Sequence, residues 1–327
     1  MKISTPGLLL RGMAMGIAEI IPGVSGGTIA FITGIYKRLL NAITSVDGDF
    51  FQFIINGKIR QAFHHIDGFF LLRLLTGMTL GIIVGVFGVS YMLDTYPEVI
   101  WGLFFGLILG SIPYMLSQLK GRTVSYLLQF IIGAIIAYGV TVLVPAEGSE
   151  SLVYLFFGGT LAICALVLPG ISGSFILLLL GLYSLVIPTL KNFLSSPNFS
   201  DLLLLGVFGL GCIFGLFFFS RIVSSAFNKY HDGTIAILSG FMLGSLNKIW
   251  PWRNIAQVVE KESGNIMPYN QIDPNQLDEL YKILTDHAVS PSAYDGSPRI
   301  IAVIGAFILG AVLIWLLSKC QTKIYAN

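Results

Sequence analysis

Two long apolar stretches, 7–43 and 152–190, each carry a proline–glycine–serine–glycine break near their middle. The breaks read PGVSGGT at Pro22–Thr28 and PGISGSF at Pro169–Phe175. In hydrocarbon every backbone amide and carbonyl needs a partner, and a break frees several of them. Such a segment is stable only where protein buries it or where it lines a wet cavity. The rest of the chain makes hydrocarbon the relevant solvent. Of 327 residues 55% are apolar and 11% are charged, against about 25% charged in soluble domains. That excludes an ordinary soluble enzyme, and 24 Phe with 13 Tyr exclude disorder. A net charge of +2 supplies no basic stripe, so no nucleic-acid partner is expected. The apolar runs are continuous rather than alternating, which predicts an all-α integral membrane protein instead of a barrel.

The two breaks belong to an internal repeat. PGVSGGTIAFITGIY at 22–36 and PGISGSFILLLLGLY at 169–183 share seven of fifteen positions at an offset of 147. GLILGS at 106–111 matches GFMLGS at 240–245 at an offset of 134. The chain therefore reads as two repeats, 1–148 and 149–327. Full spans of about 20 apolar residues are expected at 70–94, 98–117 and 124–144 in the first. In the second they are expected at 202–225, 233–250 and 299–317. Neither arm of 7–43 or 152–190 reaches that length, so each is predicted to be a re-entrant hairpin. Lys37, Arg38, Lys58, Arg60, Arg73, Lys120, Arg122, Lys229, Lys319 and Lys323 cluster in alternate connections. The positive-inside rule puts these, and both termini, in the cytoplasm. A hairpin plus three spans per half then makes the second half inverted, as in secondary transporters. Loop 251–298, with seven acidic residues against three Lys or Arg, is expected outside, with one short helix near 274–285. Lys2 and Arg11 bracket a short apolar stretch with no small-residue cleavage site after it. Cys164, Cys212 and Cys320 form no disulfide or metal pattern and read as small apolar filler.

After each break a new helix is expected to start, near Thr28 and Phe175, with its free amides facing the turn. Ser25 and Ser172 suit capping or ligand binding. Gly23, Gly26, Gly27, Gly170 and Gly173 permit close approach. Two such tips meeting at the midplane would suit an anion, most naturally a phosphate, through Ser25, Gly26, Gly27, Thr28, Ser172, Gly173 and Ser174. Tight packing of hairpin tips is the plainer alternative. Pro22, Gly23, Pro169 and Gly170 make the breaks. Glu19, an intramembrane carboxylate, suits an ion pair with an arginine or a coupling proton. Arg221 and Arg11 offer planar forks for phosphate oxygens, or snorkel to headgroups. Asn247 and Lys248 read as weaker, interfacial positions. No base accompanies the serines, and His64, His65, His231 and His287 all fall in connecting segments. Neither hydrolysis nor a nucleotide loop is indicated.

GIAEIIPGVSGGTIAFITGIYKRL at 16–39, LPGISGSFILLLLGLY at 168–183 and SRIVSSAFNKYHDGTIAILSGFMLGSLNKIWPW at 220–252 closely resemble the PopT family. The resemblance covers nearly the whole chain. It implies translocation of undecaprenyl phosphate from the outer to the inner leaflet of the bacterial cytoplasmic membrane, recycling the carrier for envelope synthesis. It carries Glu19, Pro22–Thr28, Pro169–Ser174 and Arg221 into the transport site, with bilayer lipids around the apolar tail. No cofactor is expected beyond a coupling H+ or Na+, between which the residues do not choose. They also leave the oligomeric state open. The rival readings are a transporter of another small anion and a lipid-binding scaffold. A third, a polyprenyl-diphosphate phosphatase, would want an arginine after each serine, where Gly26 and Gly173 stand.

Overall fold

The computed structural model describes residues 4–325 apart from 21–23, 122, 144, 147, 261–264 and 274–275. Its first helices are α1 (Thr5–Ile20), α2 (Gly26–Ile32) and α3 (Tyr36–Thr44). Short helices α4 (Gly48–Ile55) and α5 (Ile59–His65) follow. Then come α6 (Gly68–Val84), a π-helical turn at Gly85–Val89, α7 (Ser90–Thr95), α8 (Pro97–Leu116) and α9 (Val124–Thr141). The second half opens with α10 (Leu152–Val167), α11 (Gly173–Leu179) and α12 (Tyr183–Ser195), followed by α13 (Phe199–Lys229) and α14 (His231–Ser245). The fold is thus mostly helical. Among the described residues four helical stretches are long and apolar enough to cross a membrane: Gly68–Leu93, Pro97–Leu116, Val124–Thr141 and Phe199–Lys229.

One expected span differs. The segment 233–250 is a 15-residue helix, α14, closed by a turn. At about 1.5 Å per residue it is some 22 Å long, short of a bilayer core of about 30 Å. It is buried on nearly every side, from Gly233 to Ser245. A helix shielded from lipid by its neighbours needs no full apolar length. The segment 299–317 begins α16 (Ile300–Tyr325), whose apolar part among the described side chains is Ile300–Leu316.

Loop 251–298 departs from the all-α expectation. It holds a three-stranded antiparallel sheet in the order β2-β1-β3, from β1 (Arg253–Glu260), β2 (Ile266–Pro268) and β3 (Tyr281–Ala288). The expected helix near 274–285 shrinks to one turn, α15 (Leu277–Leu280). From Tyr281 the alternation of Tyr, Ile and Thr favours a strand. Val258 pairs with Ile283 across the sheet and is fully buried.

The closest helix pairs are α1 with α6, α10 with α13, α8 with α16 and α9 with α14. Small residues let these backbones touch. Gly12 packs on Leu74 and Gly77, and Gly106 on Phe307, the close packing used where lipid removes the hydrophobic drive between helices. The main core joins Phe31, Tyr36, Ile108, Phe227 and Met242, so α2, α3, α8, α13 and α14 share one interior.

Candidate functional site

The first break turns into a helix at Ser25. Its backbone is extended, at φ −119° and ψ 139°, and its hydroxyl accepts from the Gly27 amide at 3.1 Å. This side-chain cap starts α2 at Gly26, two residues before the expected Thr28. The Ser25 hydroxyl also donates to the Leu166 carbonyl at 3.0 Å. The Gly26 amide donates to Glu19 Oε1 at 2.7 Å. A Cβ at Gly26 would stand 2.5 Å from that oxygen, so only glycine lets the carboxylate reach the amide. Ser25 and Thr28 are fully buried.

The second break runs through Gly170, whose φ of +91° suits glycine. The Gly170 amide donates to Thr28 Oγ1 at 2.8 Å. The Tyr36 hydroxyl donates to the Val167 carbonyl at 2.8 Å. Ser172 leads into α11 but does not cap it through its side chain. Its oxygen instead lies 2.8 Å from that of Ser174, a hydrogen-bonded pair of hydroxyls. Ser172 is buried and Ser174 is exposed.

These contacts bring Glu19, Ser25, Gly26, Gly27 and Thr28 together with the turn of Pro169, Gly170, Ser172 and Gly173. Pro22 and Gly23 lie outside the described residues. Arg11 and Arg221 stand apart. Arg11 donates to the carbonyls of Thr33 at 3.3 Å and Gly7 at 3.2 Å, at the far end of the α1–α2 hairpin. Arg221 is exposed and donates to the carbonyls of Val46 at 3.0 Å and Phe217 at 3.2 Å. It lies six residues past Gly215, which packs on Thr160 and Ile163 of α10. Among the described residues Glu19 has no ion-pair partner, so the expected arginine is not beside it here.

A cation, Lys248, stands beside the second tip. A narrow cavity of about 10 Å³, the size of one water, is lined by Gly170, Ser172, Phe175, Thr141 and Lys248. Lys248 Nζ lies 5.1 Å from the Phe175 ring centre and 2.8 Å from Asp286 Oδ1 on β3. Arg253 shares that carboxylate, with Nη2 3.2 Å from Oδ1 and Nε 3.1 Å from Oδ2. Burial works to raise the Asp286 pKa, but attraction to Lys248 and Arg253 outweighs it and holds the carboxyl below its usual range. The sequence signal was a lysine inside an expected span, which marks a functional position by default. The neighbouring Trp-Pro-Trp drew it toward the interface instead.

A second polar cluster ties the sheet loop to the bundle. Glu98, 3% exposed, accepts from Tyr294 at 3.0 Å and from Arg299 at 3.1 Å. Burial, and then the Glu98 charge, push the Tyr294 phenol up to about 12. Among the described residues no group of three His, Cys, Asp or Glu side chains is arranged to hold a metal. Among the described residues the tips carry hydroxyls and amides, and the Gly26, Gly27 and Gly170 amides are held by Glu19, Ser25 and Thr28.

The family model described as undecaprenyl phosphate translocase-like matches residues 15–267. A protein of Vibrio cholerae serotype O1 named polyprenyl-phosphate transporter is 44% identical over 273 residues, covering 83% of this chain and 86% of the relative. A Staphylococcus aureus protein of the same name is 32% identical over 257 residues, covering 74% and 85%. No solved structure matches the chain. Both relatives are named transporters rather than enzymes. The matched region holds both tips and Lys248, and on these grounds the chain belongs to the undecaprenyl phosphate translocase-like family.

Proposed function

We propose that this protein carries polyprenyl phosphate, undecaprenyl phosphate in particular, from the outer to the inner leaflet of the bacterial cytoplasmic membrane, returning the carrier for envelope synthesis. The observation that carries the reading is the buried meeting of the two broken segments through Thr28 and Gly170. The names of both relatives support the same substrate. The phosphate head binds between the tips, on Ser25, Gly26, Gly27, Thr28, Ser172, Gly173 and Ser174. The tail stays in lipid through a lateral opening between the halves.

Inverted halves with re-entrant hairpins explain the helix pairing. The repeat offset turns α1 with α6 into α10 with α13, and α8 with α16 into α14 with α9, which are the pairs found. Such halves rock around a fixed site. Glu19 occupies the Gly26 amide as a phosphate oxygen would. Loading then requires that the carboxylate leave, and taking up H+ is the simplest way, which makes Glu19 the coupling group. Na+ is the alternative coupling ion. Arg221 and Arg11, away from the tips, receive the headgroup nearer the cytoplasmic surface.

The test is a leaflet assay. Purified protein is reconstituted in liposomes with undecaprenyl phosphate, and outward-facing phosphate is followed over time under a proton or a sodium gradient. Wild type should redistribute the lipid and Glu19→Gln should not. Absence of redistribution under both gradients, with uptake of inorganic phosphate, would replace the lipid with a soluble anion.

A further inference from the structure

Resting on the phosphate reading above, we propose that Lys248 is a headgroup ligand at the second tip and that Asp286 of the sheet is its resting counter-ion. The phosphate monoester takes the place of one carboxylate oxygen on the lysine, so the sheet loop closes the site between turnovers.

Four observations meet here. Lys248 lines the same cavity as Ser172 and Gly170. Its ammonium stands 5.1 Å from the ring of Phe175, two residues past Gly173, so the tip already holds the charge on an aromatic ring. Its ion pair at 2.8 Å is with a residue of the extramembrane sheet rather than of the bundle. Arg253 also holds Asp286, donating to its carboxylate at 3.2 Å and to its carbonyl at 3.1 Å. When Lys248 turns to a phosphate, Asp286 therefore keeps a partner, and no bare carboxylate is left behind. A flexible four-carbon stem suits a group that changes partners.

The cavity of about 10 Å³ admits a water and no phosphate. Entry of the headgroup thus requires the Lys248–Asp286 contact to open. The two halves differ in this respect. At the repeat offset Tyr114 stands where Lys248 does, and Leu166 where Glu19 does. One tip carries the removable carboxylate and the other the cation.

The experiment measures binding of a fifteen-carbon prenyl phosphate, and of the uncharged prenol, to the full-length protein in lipid nanodiscs. Lys248→Gln should weaken phosphate binding about tenfold or more, the usual loss of a charged hydrogen bond, and leave prenol binding unchanged. Asp286→Asn should tighten phosphate binding, because the competing carboxylate is gone. Asp286→Asn breaks the same ion pair from the other side. It should lower the melting temperature as Lys248→Gln does and yet keep phosphate binding, which separates a ligand from a structural strut. Wild-type affinity in Lys248→Gln, or equal loss of affinity in both variants, overturns the proposal while leaving the transport reading intact. Failure of the wild type to bind the prenyl phosphate overturns both.

Discussion

The amide of Gly170 and the hydroxyl of Thr28 meet at 2.8 Å, although 142 positions separate them in the chain. Thr28→Val keeps the shape and removes the acceptor, leaving a buried amide unpaired at a cost of about 1–3 kcal/mol. The expected result is a lower melting temperature in detergent and slowed lipid redistribution, with Thr28→Ser close to wild type. A valine variant as stable and active as wild type would show that the bond is dispensable.

Gly170 itself should tolerate little. A side chain there meets the Phe241 carbonyl at 2.8 Å, and its φ of +91° is strained for any L-residue. Gly170→Ala is expected to reduce the yield of folded, monodisperse protein, with a strain of about 1–3 kcal/mol before any clash. Size-exclusion profiles of the two proteins purified side by side check this.

Asp286 gives a pH dependence with a definite sign. Its folded pKa is lowered by Lys248 and Arg253 despite burial. The stabilisation is therefore complete above the unfolded value, about 4, and is lost as pH falls through the lowered folded value. Thermal melts at pH 7 and pH 3 should differ more for wild type than for Asp286→Asn. Equal differences would remove Asp286 from the acid response.

Arg299→Ala tests the anchor of the sheet loop. Glu98 is 3% exposed and would keep only Tyr294 among its two side-chain donors. Leaving a buried carboxylate short of a partner is expected to destabilise by about 1–3 kcal/mol. Limited proteolysis should then cut loop 251–298 faster, and unchanged cleavage would argue against the anchor.

Arg221→Ala separates the tips from the contact between α13 and Val46. The guanidinium holds the Val46 and Phe217 carbonyls and not the tips. Transport should fall while prenyl phosphate binding stays near wild type, and Arg221→Lys should recover part of the rate. Loss of binding in Arg221→Ala would instead draw this arginine to the tips in another state.

Much of the bundle was legible because it rests on local chemistry. The second break stands where Pro169 and Gly170 put it, and Ser25 starts α2 as a capping serine should. Continuous apolar runs marked the long helices. The sheet was missed because a short polar loop carries weak periodicity, and Leu277–Leu280 does begin as a helix. Lys248 was undervalued because its partner lies 38 residues away on a strand no pattern announced. Arg221 lies inside the expected span 202–225, but its partner, the Val46 carbonyl, is 175 positions away and no spacing announces it. Sequence spacing gives a residue's height along its own helix and says little about what stands opposite.

The hydroxyls of Ser25 and Tyr36 hold the carbonyls of Leu166 and Val167, so side chains of one half satisfy backbone groups freed in the other. Any motion that parts the halves strands two carbonyls, at about 1–3 kcal/mol each, unless water or a passenger replaces the donors. Built this way, the protein with nothing bound keeps its two halves latched until something else can serve those carbonyls.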